Sequence, residues 1–219
     1  MPQVGRVTKN AEEIPSGGLF MESATSTFDL IERLKSGDTA VFPALFQKYS
    51  HRLAILIYYK LSPEMRPFIE VDDVLQETFL KTFRDLGQFT YRAPGSFMNW
   101  ISSIADHVIA DMARYQGRQK RHAAELVRFR SDSNPQGPEP ADTKTPSVLL
   151  AGRERVLCLI EKLSLLPEDY RRVILLAKVE GLSTREVAKQ LGKSAESVSL
   201  LLHRALKRFR ELQNSNTRQ

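Results

Sequence analysis

Residues 183–206 read "STREVAKQLGKSAESVSLLLHRAL", two short helical patterns that meet at one glycine. Ser183 followed three residues later by Glu186 is a capping-box signature, so a helix should open at Thr184. Val187, Ala188 and Leu191 share one face of it, and Gly192 stands where a left-handed residue closes a helix. Ser194 offers a second N-cap. Beyond it Val198, Leu201, Leu202, Ala205, Phe209 and Leu212 recur at helical spacing. A small residue at Ala188 lets two helices cross closely, and Gly192 supplies the tight turn, which together are the requirements of a helix-turn-helix. The plainer reading is an ordinary helical hairpin within a bundle; several independent positions agree on the first.

Upstream of this hairpin the same period of 3.6 dominates. Phe28, Ile31 and Leu34 make a short first helix, and "SGD" at 36–38 is a turn with Asp38 as the next cap. Phe42, Leu45, Phe46, Tyr49, Leu53 and Leu56 give a long amphipathic helix with Pro43 near its start. The loop "LSPEMRPFI" leads to a third helix at about 70–86, and "GQFTYRAPGS" separates it from a fourth. There Phe97, Trp100, Ile101, Ile104, Ala105, Val108, Ile109 and Met112 share a face. The stretch "SDSNPQGPEPADTKTP" at 131–146 has turn formers and no aliphatic residue larger than alanine, so it reads as a flexible linker. Periodicity returns with Val156, Leu159, Ile160, Leu163 and Leu166, and a further helix runs from Pro167 to Gly181. The expectation is an all-α chain of two small helical domains joined by a flexible linker. The boundaries are 1–26 for a disordered extension, 27–122 for a first domain, 123–152 for the linker, 153–213 for a helix-turn-helix domain and 214–219 for a tail.

Composition narrows the function classes. The chain has 219 residues and a net charge of +6, a balance that favours a polyanionic partner. A single cysteine, Cys158, excludes an internal disulfide framework and a four-cysteine metal site, and its place in an apolar stripe suggests a packed core thiol. No apolar run approaches the ~20 residues that span a bilayer, and no leader pattern opens the chain. A cytosolic location without membrane insertion is expected. The four histidines His51, His107, His122 and His203 lack ligand spacing, and no phosphate loop or nucleophile–base pair is evident. Neither catalytic residue, metal nor cofactor is expected. Asp72, Asp73 and Glu77 open a helix, where acids complement the dipole. Phe89, Tyr91, Phe97 and Trp100 cluster around one loop, followed by Arg114, Arg118, Lys120 and Arg121. Rings that stack on bases beside cations that hold phosphates suit unpaired nucleic acid. Phe97 and Trp100 lie on the apolar stripe, so Phe89 and Tyr91 are the better candidates for a platform.

These segments carry a resemblance. "VDDVLQETFLKTFRDLGQF" and "FMNWISSIADHVIADMARYQGRQKR" resemble the second conserved region of bacterial sigma factors. "LPEDYRRVILLAKVEGLSTREVAKQLGKSAESVSLLLHRALKRFREL" resembles their fourth, and the short connection between the two is similar to the extracytoplasmic-function (ECF) group. The resemblance covers roughly 27–122 and 153–213, in order. It implies that Asp72, Asp73, Leu75, Gln76, Glu77 and Phe79 dock on core RNA polymerase. It implies that Phe89, Tyr91, Asn99, Trp100 and His107 meet the melted non-template strand of a minus-ten element, with Arg114, Arg118, Lys120 and Arg121 along the duplex backbone. His107 stands where many relatives carry asparagine. In the second domain it implies that Lys193, Ser194, Glu196, Ser197, Ser199, Leu200, His203, Arg204 and Lys207 face a minus-thirty-five element in double-stranded promoter DNA. An anti-sigma factor is a possible further partner. The competing readings are a stand-alone helix-turn-helix regulator with a helical sensor or dimerisation domain, and a helical adaptor with no direct role on DNA.

Overall fold

The computed structural model describes residues 26–129 and 152–215. The expected N-terminal extension, the "SDSNPQGPEPADTKTP" linker and most of the tail lie outside the described residues.

Helix α1 (Thr27–Lys35) opens on Ser26, whose hydroxyl accepts from the Phe28 amide, and buries Leu30, Ile31 and Leu34. Asp38 caps a single 3₁₀ turn, Thr39–Val41, through the Ala40 amide. Helix α2 (Phe42–Lys60) follows with Pro43 in its first turn, where the missing N–H costs no hydrogen bond. It buries Leu45, Tyr49 and the run Leu53–Ile57 almost all round, because neighbours cover it on several sides. Helix α3 (Val71–Asp85) carries Asp72 and Asp73 in its first turn and packs between α2 and α4. Buried Thr78 and Thr82 bond back to the carbonyls of Val74 and Thr78, so neither hydroxyl is orphaned. Helix α4 (Ser96–Phe129) runs seven residues beyond the expected domain boundary at 122.

The C-terminal unit begins with α5 (Arg153–Ser164), followed by α6 (Glu168–Ile174) with Pro167 at its N-cap. The expected helix from Pro167 to Gly181 changes character midway, since Leu175–Glu180 form a π-helical segment that Gly181 closes at φ 85°. Then come α7 (Thr184–Leu191) and α8 (Ala195–Ser215), which pack on each other, α8 also on α6 and α7 on the π-helical segment. Among the described residues there is no strand, and no helix is long and apolar enough to cross a membrane.

The two units are packed together through α2, which touches α5 and the π-helical segment. Tyr59 Oη donates to the Ile160 carbonyl at 2.9 Å, and burial pushes this hydroxyl's pKa up to about 12 against the opposing pull of Arg171. His51 lies against Gly152, where any Cβ would overlap its imidazole. Burial, then the Arg155 charge, lowers the pKa of His51.

Cys158 is exposed, against the expectation of a core thiol. Helix α5 buries Val156, Ile160 and Leu163, and a residue two positions from Val156 points about 200° away from it.

Candidate nucleic-acid interface

The helix-turn-helix closes as its sequence requires. Ser183 Oγ accepts from the Glu186 amide at 3.3 Å, while the Ser183 amide donates to Glu186 Oε2 at 2.7 Å, a complete capping box. Hydrogen bonds from the Ser183 hydroxyl and then its amide hold the Glu186 carboxyl below the ordinary glutamate value. Gly192 sits at φ 62° and ends α7, and a side chain there would carry left-handed strain. Ser194 Oγ accepts from the Ser197 amide at 3.2 Å at the start of α8. Hydrogen bonds from its own amide, then from the Ser194 hydroxyl, lower the Glu196 pKa. Val198, Ala205 and Phe209 are buried, and Leu206 joins them. The opposite face exposes Lys193, Ser194, Glu196, Ser197, Ser199, Leu200, His203, Arg204 and Lys207. The bulky apolar member of that face, Leu200, is 59% exposed.

In the first unit the loop before α4 is held from both ends. Lys35 Nζ donates to the Phe89 carbonyl at 2.6 Å, and Ser96 Oγ donates back to the Ala93 carbonyl at 2.7 Å. Phe89, expected as an exposed platform, is 6% exposed and belongs to the core. Its ring meets Phe97 at 5.4 Å edge-on and Trp100 at 4.9 Å, so no face is left for a base. Tyr91 is half-buried and packs edge-on against Phe28 of α1 at 5.5 Å. Phe28 itself is exposed, and nothing in the α1 pattern marked it as part of this loop. Asn99 Oδ1 is closed off from solvent without a hydrogen-bond partner among the described residues. One face of α4 exposes His107, Arg114 and Arg118. Arg114 pairs with Asp111 at 2.8 Å, and Asp111 also receives Lys81 at 3.2 Å; the bond from Lys81 leads in lowering the Asp111 pKa. Lys120 and Arg121 continue α4, but their side chains lie outside the described ones.

Helix α3, expected to dock on a partner, divides its candidate residues between the core and the surface. Leu75 and Phe79 are buried, so they hold α3 in place and cannot meet a partner. The residues one step on do face outward. Leu80 is 66% and Phe83 46% exposed, on the same stripe as Asp72 and Gln76. Asp73 and Glu77 turn toward a cavity of about 400 Å³ between α3 and α4, lined also by Phe68, Met112 and Tyr115. No group of histidines, cysteines or acids among the described residues is placed to hold a metal ion.

Two family models match the chain in order: Sigma-70 region 2 over residues 45–119 and Sigma-70, region 4, over residues 156–209. Together they span more than half of it. The ECF RNA polymerase sigma-E factor of Escherichia coli (strain K12) is 29% identical over 159 residues, covering 73% of this chain and 79% of that protein. The ECF RNA polymerase sigma-E factor of Haemophilus influenzae is 26% identical over 176 residues, covering 80% and 89%. The structure of CnrH in complex with the cytosolic domain of CnrY aligns with a TM-score of 0.42 at 23% identity, over 85% of this chain and 96% of that one. This chain belongs to the sigma-70 family of promoter-recognising transcription initiation factors, in its ECF group.

Proposed function

We propose that the chain binds core RNA polymerase through α3, traps the melted minus-ten strand at the loop preceding α4, and reads a minus-thirty-five element with α8. The observation that carries this reading is the presence of both modules in one chain, each with a solvent-facing recognition surface. The family consists of initiation factors rather than enzymes, so the work done on DNA must come from binding. Extruding a base costs a few kcal/mol, and stacking plus hydrogen bonds in a trap must return it.

With Phe89 in the core, the trap uses Tyr91 at the loop surface, the edge of Trp100, His107 and the carboxamide oxygen of Asn99. That oxygen is an acceptor without a donor and is closed off from solvent, so an exocyclic base amino group reaches it only once Asn99 turns outward. Phe89 acts one layer down, holding Trp100. Arg114, Arg118, Lys120 and Arg121 neutralise phosphates of the adjoining duplex. On α3 the docking face is Asp72, Asp73, Gln76 and Glu77, extended by Leu80 and Phe83. Lys193 and Ser194 meet phosphate at the start of α8; Ser197, Ser199, Leu200 and His203 lie toward base edges, and Arg204 and Lys207 toward the backbone. Leu200 suits contact with a thymine methyl. An anti-sigma factor belongs to this reading as a candidate partner. The domains are a promoter-melting unit and a minus-thirty-five unit, each with its own reading face.

Transcription with purified chain, core polymerase and fragmented genomic DNA of the source organism tests the reading. Discrete transcript starts that need the chain and share two upstream motifs support it. Specific DNA retardation by the chain alone, with no new starts, supports the stand-alone regulator instead.

A further inference from the structure

Phe28 stands apart from the rest of the α1 pattern. Leu30, Ile31 and Leu34 are buried, whereas Phe28 is 47% exposed. It also lies outside residues 45–119, the stretch matched by Sigma-70 region 2. A single exposed ring is ordinary on a protein surface, so its neighbours decide what it can do. Phe28 meets Tyr91 with ring centroids 5.5 Å apart and planes at 65°. An edge-on pair leaves ring faces uncovered, and the exposure of Phe28 puts one of them in solvent.

Helix α1 is tied at its first and last residues to the elements that carry the strand trap. Thr27 Oγ1 and Tyr49 Oη share a hydrogen bond of 2.8 Å. The Tyr49 ring packs edge-on at 4.9 Å against Phe97, which meets Trp100 at 5.9 Å. At the other end, Lys35 Nζ donates to the Phe89 carbonyl at 2.6 Å. The Phe28 ring is therefore set in place beside the loop before any strand arrives, which spares most of the cost of ordering it on binding. Arg92, next after Tyr91, is exposed and supplies a cation for the strand's phosphate. Asp29, the acid next to Phe28, points about 100° away from it around α1.

We propose that Phe28 is a second stacking ring of the strand trap, holding one unpaired nucleotide next to the captured base, whatever that nucleotide's base is. The inference rests on the assignment of the loop before α4 to strand capture. A ring face stacks on any base, and only an unpaired, unstacked base has a face to offer it. Stacking on Phe28 therefore favours the melted strand over the duplex and adds to the binding that drives opening.

The test uses holoenzyme assembled from core polymerase and the full chain, with non-template oligonucleotides carrying the minus-ten motif mapped from the transcript starts. Each nucleotide in turn is replaced by an abasic residue. With wild type, one position adjoining the captured base should lose about tenfold in affinity when its base is removed. Phe28→Ala should bind the intact strand about tenfold more weakly, and the abasic change at that position should then cost nothing more. Phe28→Leu keeps apolar bulk against Tyr91 but lacks a flat face, so it should behave as Phe28→Ala, while Phe28→Trp should bind as wild type. Duplex binding and affinity for core polymerase should be unchanged in all three. Additive losses from Phe28→Ala and the abasic change, or wild-type binding by Phe28→Leu, overturn the stacking role and leave the function standing. Weaker binding of Phe28→Ala to core polymerase in the absence of DNA overturns it in favour of a polymerase contact. Holoenzyme with no preference for the motif strand overturns the capture assignment and this inference with it.

Discussion

Replacing Phe89 with alanine separates a structural role from direct base contact. The ring is buried between Phe97 and Trp100, with centroids 5.4 and 4.9 Å away. Truncating a buried phenylalanine costs about 3–5 kcal/mol through lost transfer energy and the cavity left behind, and the two ring contacts place this site toward the upper half of that range. With a urea dependence of about 2 kcal/mol per molar, a loss of about 4 kcal/mol moves the unfolding midpoint of this unit down by about 2 M. The assay has a built-in reporter, since Trp100 is the single tryptophan of the chain and touches the substituted side chain. Its emission should shift red in the native variant and report the earlier transition. Promoter opening and closed-complex formation should both weaken as folded protein is lost. A variant that unfolds within ~0.5 kcal/mol of wild type, the range of an ordinary surface substitution, yet is slowed selectively in opening, would refute the burial argument and return Phe89 to the platform.

On α3, Leu80→Ala should weaken core polymerase binding severalfold with stability nearly unchanged, Phe83→Ala should weaken binding and also lose the ring contact with Phe42, and Leu75→Ala should cost about 2–5 kcal/mol of stability; equilibrium binding and urea melts distinguish them. Ser183→Ala should cost about 1 kcal/mol in the helix-turn-helix unit and weaken duplex binding in proportion. The Glu186 carboxyl titrates below the ordinary glutamate value when folded, so its capping contribution is complete above that value and fades as pH falls through the folded pKa. Thermal melts of wild type and Glu186→Gln should therefore converge under acid conditions and differ at neutral pH. Cys158 should react with a thiol reagent at the rate of a free surface thiol in the native chain, and slow reaction that needs denaturant would contradict its exposed position.

Local chemistry carried much of this fold into view from the sequence. The capping box at Ser183 and the turn at Gly192 are set by residues within a few positions of each other, so α7 begins and ends where the spacing places it. The outward face of α8 follows from one period of 3.6, and Leu200 lies on it as expected. What escaped depends on partners distant in sequence. Phe89 sits in a loop, but the fold of α4 brings Phe97 and Trp100 back over it. Leu75 and Phe79 fall within the stretch expected to dock, while helix geometry turns them inward and Leu80 and Phe83 outward. Cys158 lies among apolar residues in sequence but not in angle. The π-helical segment and the contact of Arg52 and Ser102 with it have no local signal, since carbonyls near a helix end are capped here by another unit.

The most direct measurement of the central claim is permanganate reactivity of thymines on promoter DNA recovered from the transcription experiment, with the chain, core polymerase, both together and neither. Sigma function predicts reactive thymines around the minus-ten motif only when both proteins are present, without ATP, and their loss when Asp73 and Gln76 are replaced by alanine. Protection at the minus-thirty-five motif with no reactive thymine in any mixture would contradict it, and would leave α7 and α8 as the DNA-binding part of a protein that does not open promoters.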